Sequence, residues 1–239
     1  MRARPTPRSD LAMLVRIDRG SVWRAVPMRR GIAVLAIGPG LVGLAGALRW
    51  DQVTILPGLV ASGGALLFGI NAWTLEGRGV LWRESLPVAA ATVFAARAWV
   101  LLEFLLVASG AALLLAVLRA GVPTAAQLAA VGCAWLVVLL QVVSAALRWS
   151  ARSPYSVDLR SARATPAPPS AMVGYSARLA VTTTLTSMVF SGLARVDAWS
   201  LSLLVAAPLA GWSVARLLRT RDGWVDPGRR AQVVMTVAG

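Results

Sequence analysis

Neither lysine nor histidine occurs among the 239 residues, cysteine occurs once, and acidic residues number only 10. Each shortage removes a class of chemistry. A phosphate-binding loop that grips nucleotide through Gly-Lys-Ser/Thr needs its lysine, so the chain cannot hydrolyse ATP by that route. Without histidine there is no Ser-His or Cys-His nucleophile pair, and the usual zinc and haem ligand sets are lost. As the single cysteine, Cys133 has no partner for an intramolecular disulfide, and its apolar stretch leaves it a small packing residue. The few carboxylates are scattered, mostly beside arginines. No catalytic residue, metal site or cofactor held by this chain is expected.

What is present is arginine: all 24 basic residues are arginines, the formal net charge is +14, and they fall in clusters separated by apolar runs. A helix needs roughly 20 apolar residues to cross the hydrocarbon core. Runs at about 31–48, 53–75, 98–118, 124–147, 177–194 and 198–216 meet or approach that length. The expectation is an all-α membrane protein with six transmembrane helices over 31–217, preceded by a basic leader over 1–30 and followed by a tail over 218–239. Twenty-one arginines lie before the first run, in the connections 76–97 and 148–178, or after the last run, whereas Arg49, Arg119 and Arg195 stand singly in the other three. The positive-inside rule then places both termini in the cytoplasm of a cell whose plasma membrane the chain crosses. The excess charge is accounted for by span boundaries and anionic headgroups, and no nucleic-acid partner is expected.

The leader is too long, and its following apolar run too extended, for a cleavable signal of roughly 7–15 apolar residues. Met1–Arg8 should be disordered. From Asp10, capped by Ser9, the residues Leu11, Leu14, Val15, Val22 and Val26 fall near one stripe with Trp23 beside them, the pattern of a helix lying on the membrane surface before Pro27. Glycines crowd the first two runs (Gly38, Gly40, Gly43 and Gly46, then Gly58, Gly63, Gly64 and Gly69) and predict close helix contacts, with each other or across a subunit interface. Pro39, Pro57 and Pro208 are candidate kinks. Pro154, Pro166, Pro168 and Pro169 argue against one continuous helix over 148–178.

The connection after the second run reads Leu75-Glu76-Gly77-Arg78-Gly79-Val80-Leu81-Trp82-Arg83-Glu84-Ser85-Leu86-Pro87. An apolar cluster of Val80, Leu81, Trp82 and Leu86 in a short linker marks a contact surface, with Arg78, Arg83 and Glu84 as a polar rim. A tryptophan dipping into the membrane interface would give the same pattern. Here the chain resembles the permease subunits of type-2 ABC exporters, whose corresponding loop carries an acidic residue, a glycine, a short apolar helix and a closing leucine-proline pair. Glu76, Gly79, Leu81, Leu86 and Pro87 stand at those places. Phe68-Gly69-Ile70-Asn71-Ala72 and Asp158-Leu159-Arg160-Ser161-Ala162-Arg163 add a likeness to the carboxy-terminal half of larger actinobacterial permeases.

The resemblance implies a coupling helix within 76–87 that docks on a separate ATPase subunit through Glu76, Gly79, Leu81, Trp82, Glu84, Leu86 and Pro87. ATP would be bound by that partner, and a homodimer or a second six-span permease would complete the assembly in the lipid bilayer. The chain departs from the family in its three-residue connection at 195–197, where a larger re-entrant element is usual, and in its long 148–178 segment. Inside the spans, Glu103, Gln141, Thr183 and Ser187 are the polar residues that either line a path or bridge helices. Glu103 has Arg97 and Arg178 as candidate partners. A non-transport assembly or immunity protein, acting through its glycine-rich helices without an ATPase, is the competing reading.

Arginine sorting makes a direct prediction. In a Cys133→Ala background, Trp82→Cys and Arg160→Cys should both resist a membrane-impermeant maleimide applied to intact cells and react after permeabilisation. Ready labelling from outside at either position would reverse the orientation.

Overall fold

Long apolar runs leave the backbone one economical way to satisfy its amides in lipid, the α-helix. The computed structural model describes residues 7–24, 26–67, 69–157, 165 and 167–239. Among these residues there are ten α-helices and no strand: α1 (Asp10–Arg24), α2 (Val26–Ala45), α3 (Trp50–Val53), α4 (Leu56–Leu67), α5 (Gly79–Glu84), α6 (Ala90–Val117), α7 (Ala125–Arg152), α8 (Pro169–Leu193), α9 (Trp199–Val225) and α10 (Pro227–Ala238). A 3₁₀ segment, Gly69–Thr74, follows α4. Five stretches are long and apolar enough to cross a membrane: Met28–Ala45, Trp50–Thr74, Ala90–Val117, Ala125–Arg152 and Trp199–Val225. The 25 residues of α8 match them in length, but its threonines and serines leave it less apolar.

The centre of the bundle is built from α4 with its 3₁₀ extension, α6 and α7, which together bury most of the apolar core. On the outside, α2 packs along α6 and α9 along α7, while α8 fills the angle between α7 and α4. The outer helices keep apolar side chains such as Val34, Val42, Leu204 and Trp212 exposed, as lipid-facing surfaces do. Small residues set the closest approach. A Cβ at Gly40 would lie 2.9 Å from the Ala112 backbone, and one at Gly43 2.8 Å from the Ala116 side chain, so α2 touches α6 almost backbone to backbone. The two glycine-rich helices also meet each other, where Gly63 faces Leu35 and Gly31 faces Leu67.

Several boundaries differ from the sequence expectation, each for a local reason. The second run is not one helix: α3 and α4 are separated at Thr54-Ile55, Pro57 sits in the first turn of α4, and Asn71 leaves helical geometry at φ −139°, ψ 59°. Pro57 therefore starts a helix rather than kinking one, while Pro39 and Pro208 lie inside α2 and α9. The arginines did not stop the helices where the apolar runs end. The sixth α-helix begins at Ala90 and carries Arg97 in its interior, α7 continues to Arg152, and α9 runs to Val225. The expected tail over 218–239 is thus helical to Ala238, with Val233, Val234 and Val237 buried. The linker before α8 shortens to 153–168, ending on Pro168 as N-cap and Pro169 at the first helical position. The Asp158–Arg163 segment, Phe68, Pro166 and residues 1–6 of the amino end lie outside the described residues.

The largest difference concerns α1. Its stripe was assigned to the membrane surface, yet Leu14, Val15, Asp18 and Val22 are buried against the protein, and Leu11 and Trp23 stay exposed. The Trp23 ring lies 5.3 Å from that of Phe104 on α6. The amphipathic helix clasps the bundle because Asp18, in the middle of its apolar stripe, finds two guanidiniums there.

The α2–α6 contact sets up a paired test. Gly40→Ala should destabilise by about 1–3 kcal/mol, because its new methyl meets backbone that cannot swing away. Gly38→Ala faces open space and should be neutral or slightly stabilising through helix propensity. Thermal unfolding in neutral detergent checks both; equal effects would refute the close contact.

Candidate functional site

The connection after the 3₁₀ segment turns sharply because Gly77 adopts φ +54°, a left-handed conformation that side chains other than glycine rarely take. Gly79 then opens α5, and Ser85 closes it two residues before Pro87. Its six residues divide into two faces. Val80 and Arg83 point into the protein and are nearly fully buried, whereas Leu81 and Trp82 are 47% and 61% exposed. Leu86 is half-buried, and Arg78 and Pro87 are exposed. Arg83 is therefore an anchor and not part of an outer rim. Glu84 is held by Arg230 of α10, Nε to Oε2 at 2.9 Å.

Beneath α5 lies a cluster of four charges drawn from four places in the chain: Asp18 of α1, Glu76 of the turn, Arg83 of α5 and Arg97 of α6. Arg83 donates to Asp18, and its other terminal nitrogen reaches Glu76 at 2.9 Å. Arg97 contacts Glu76 at 2.7 Å through Nη2 and Asp18 at 3.1 Å through Nε. Its Nη1 donates to the Ala72 carbonyl at the irregular end of the second apolar stretch. The Trp73 ring lies 5.6 Å from the Arg97 guanidinium and stacks on Trp224, the last turn of α9, at 3.7 Å and 9°.

Two carboxylates and two guanidiniums make the cluster neutral when all are ionised. That balance is what permits burial, since an unpaired charge in such surroundings costs several kcal/mol. The carboxylates are not equivalent. Burial pushes the Asp18 carboxyl above its ordinary range, despite the opposing pull of Arg97 and Arg83. Glu76 is desolvated too, but Arg97 and Arg83 hold it below its ordinary range.

The polar residues of the spans are placed as follows. Glu103 sits on the outer side of α6, ion-paired with Arg19 of α1 at 2.6 Å, so its partner is neither Arg97 nor Arg178. Gln141 Oε1 accepts from the Thr186 hydroxyl at 3.1 Å and joins α7 to α8. Thr183 lies 3.1 Å from Ser62 and also donates to the Leu179 carbonyl, joining α8 to α4. The Ser187 side chain is buried against Gly58, and its carbonyl accepts from Thr54 at 3.5 Å. Together Thr183, Thr186 and Ser187 form a polar seam facing other helices. Asn71 donates to the Tyr155 carbonyl at 2.8 Å, tying the second stretch to the linker after α7.

Sequence reasoning singled out Glu76 and the α5 residues but missed Asp18 and the inward role of Arg83. A carboxylate four residues from Leu14 and four from Val22 was the available signal: a charge on the buried stripe of an amphipathic helix requires a buried partner.

Removing one member should expose the cluster's cost. Asp18→Ala should lower stability by about 3–5 kcal/mol, because it leaves two buried guanidiniums to share the one Glu76 carboxylate, and Glu103→Ala, on a half-exposed pair, by about 1 kcal/mol or less. Chemical unfolding in detergent separates the two, and similar losses would mean that the cluster is not buried as described. Comparison of the chain with protein-family models, with curated proteins and with solved structures finds no match.

Proposed function

We propose that this chain is the membrane-spanning subunit of an ATP-driven exporter of the type-2 ABC class, with α5 as the coupling helix that meets a separate ATPase subunit. The observation that carries the reading is the two-sidedness of α5. Leu81 and Trp82 face outward and are uncovered among the described residues, while Val80 and Arg83 fix the same helix into the bundle. A membrane-dipping loop has no need of an internal ionic anchor; a lever does. Force applied at Leu81 and Trp82 would reach α1 and α6 through Asp18, Glu76 and Arg97, and α10 through Glu84 and Arg230. Closure of the ATPase dimer would then tilt the spans between inward- and outward-open states.

Six crossings, both ends in the cytoplasm and a plasma-membrane location belong to the same proposal. Parity supports them. Both α1, through Asp18, and α10, through Arg230, bond to α5 or its flank, so the two ends of the bundle's chain sit on one side. An even number of crossings fits that arrangement, and α8 is the helix proposed as the sixth. Its polar seam explains why it is less apolar than the rest: Thr183, Thr186 and Ser187 are spent on neighbouring helices. The other three connections gather at the opposite end, where Arg195 pairs with Asp51 at 2.8 Å and the Trp50 indole donates to the Gly121 carbonyl at 3.0 Å. A single bundle encloses no path in this class, so a second copy or a second permease completes the transporter.

The test is association. An ATPase subunit should co-purify with the wild-type chain from native membranes. Leu81→Asp and Trp82→Ala should each weaken that association by at least about tenfold, the scale of an aromatic contact at an interface centre, without altering thermal stability. Full association in both variants would remove α5 as the docking element.

A further inference from the structure

A second concentration of charge lies beside α5, and of its arginines only Arg230 takes part in the contacts above. Where α7, α9 and α10 converge there is a cavity of about 240 Å³ whose wall includes Arg148, Arg152, Arg216, Arg219, Arg229 and Arg230. Among the described residues no acidic side chain lines it. We propose that this cavity is a binding site for a phosphate-bearing anion, either the headgroup of an anionic phospholipid or a soluble polyphosphate.

Three observations carry the proposal. First, little of the positive charge is met internally, although the Arg219 guanidinium lies 5.6 Å from the Trp212 ring. Of the six arginines only Arg230 forms an ion pair among the described residues, with Glu84. Asp226 is nearby, but its carboxylate accepts from the Arg229 backbone N–H as the cap of α10. Asp222 pairs with Arg221, outside the wall. Second, helix ends do not account for the excess. The carboxy-terminal turns of α7 and α9 each offer only about −0.5 of an elementary charge, far short of what six guanidiniums carry. Third, two wall residues hold buried donors with no acceptor among the described residues: Arg216 Nε and the Trp224 indole nitrogen. Buried donors left in this way call for an acceptor, and the oxygens of a phosphate supply several at once.

The residue type and dimensions agree. A guanidinium offers a planar fork that matches phosphate oxygens two at a time, which an ammonium cannot do. The volume lies below the roughly 300–1,000 Å³ usual for small-molecule pockets, so it admits a headgroup or a diphosphate rather than a bulky ligand. Arg148 and Arg152 are one turn apart on α7, as are Arg216 and Arg219 on α9, so both pairs face the same space. Basic pockets between helices at a membrane surface are the setting in which anionic headgroups bind. The site is tied to α5, because Arg230 belongs both to its wall and to the Glu84 ion pair. It does not depend on the ATPase reading, and its test uses the purified chain alone.

The experiment has two arms. Full-length protein in dodecyl maltoside is titrated with cardiolipin, against phosphatidylcholine as the neutral lipid, and separately with inorganic pyrophosphate. Binding and the unfolding midpoint are both followed. The expected result is saturable, salt-sensitive binding in at least one arm, with a raised midpoint. Binding in the lipid arm alone identifies a headgroup site, and binding of pyrophosphate identifies a soluble ligand. Arg148→Gln/Arg216→Gln should weaken it by about 10–100-fold, as expected for lost charge-assisted hydrogen bonds. That double variant should unfold at the same or a higher temperature without ligand, since like-charge repulsion is relieved, which a merely structural role would not produce. The exposed pair Arg152→Gln/Arg219→Gln provides the same comparison if the first does not fold. Arg29→Gln/Arg30→Gln removes as much charge elsewhere and should bind as wild type. No saturable binding in either arm, equal weakening by the control pair, or undiminished binding by the pocket variants would overturn the proposal.

Discussion

A guanidinium placed among apolar helices must be matched, and the architecture of this chain follows from how Arg97 is matched. Its side chain is 1% exposed and sits within a helix otherwise fit to cross a membrane. Two carboxylates and a carbonyl surround it, contributed by segments some twenty to eighty residues away in sequence. Meeting that requirement brings the amino-terminal helix onto α6, holds the turn after the 3₁₀ segment in place and seats α5. Buried pairs of this kind add little net stability compared with apolar packing. They do favour this arrangement over any that leaves one of the four charges buried without a partner. In this chain the selected arrangement is the one that presents Leu81 and Trp82 outward.

Helix packing and charge pairing divide the work between the middle and the ends. In the middle, glycine and alanine let α2 and α6 approach almost to backbone contact, glycines of α2 and α4 receive leucine side chains, and threonine and serine link α8 to α4 and α7. At the end with few arginines, Asp51 receives both Arg49 and Arg195. At the crowded end, ion pairs connect α1, α5, α6 and α10, while the cavity arginines other than Arg230 have no ion pair among the described residues. The distribution of positive charge thus separates into a part consumed by the fold and a part left over.

Much of this was legible in the sequence. Apolar run lengths gave the helical class and located the stretches fit to cross a membrane, and Gly77, Gly79 and Pro87 bracketed the short helix between them. Helix ends were not legible, because a charged residue stops a hydropathy run without stopping a helix: Arg97 lies in the interior of α6, and Arg216 and Arg219 lie inside α9. The break at Asn71 left no trace either, since it is set by Tyr155 and Arg97 from distant segments. The partner of Glu103 was missed for the same reason. Two arginines stood near it in the apparent span order, but the one that reaches it, Arg19, arrives on a helix assigned to the lipid surface. Asp18 was visible as a charge on an apolar stripe, and its pairing followed only from three-dimensional placement.

The exclusive use of arginine bears on how such a molecule is tuned. A guanidinium stays protonated throughout the pH range in which proteins function, and it offers no amine for acetylation. The cationic half of the cluster under α5 therefore keeps its charge across the pH range of the cell. Any adjustment of that junction by acidity must act on its anionic half, the two carboxylates of Asp18 and Glu76, which share the same guanidiniums and so respond jointly.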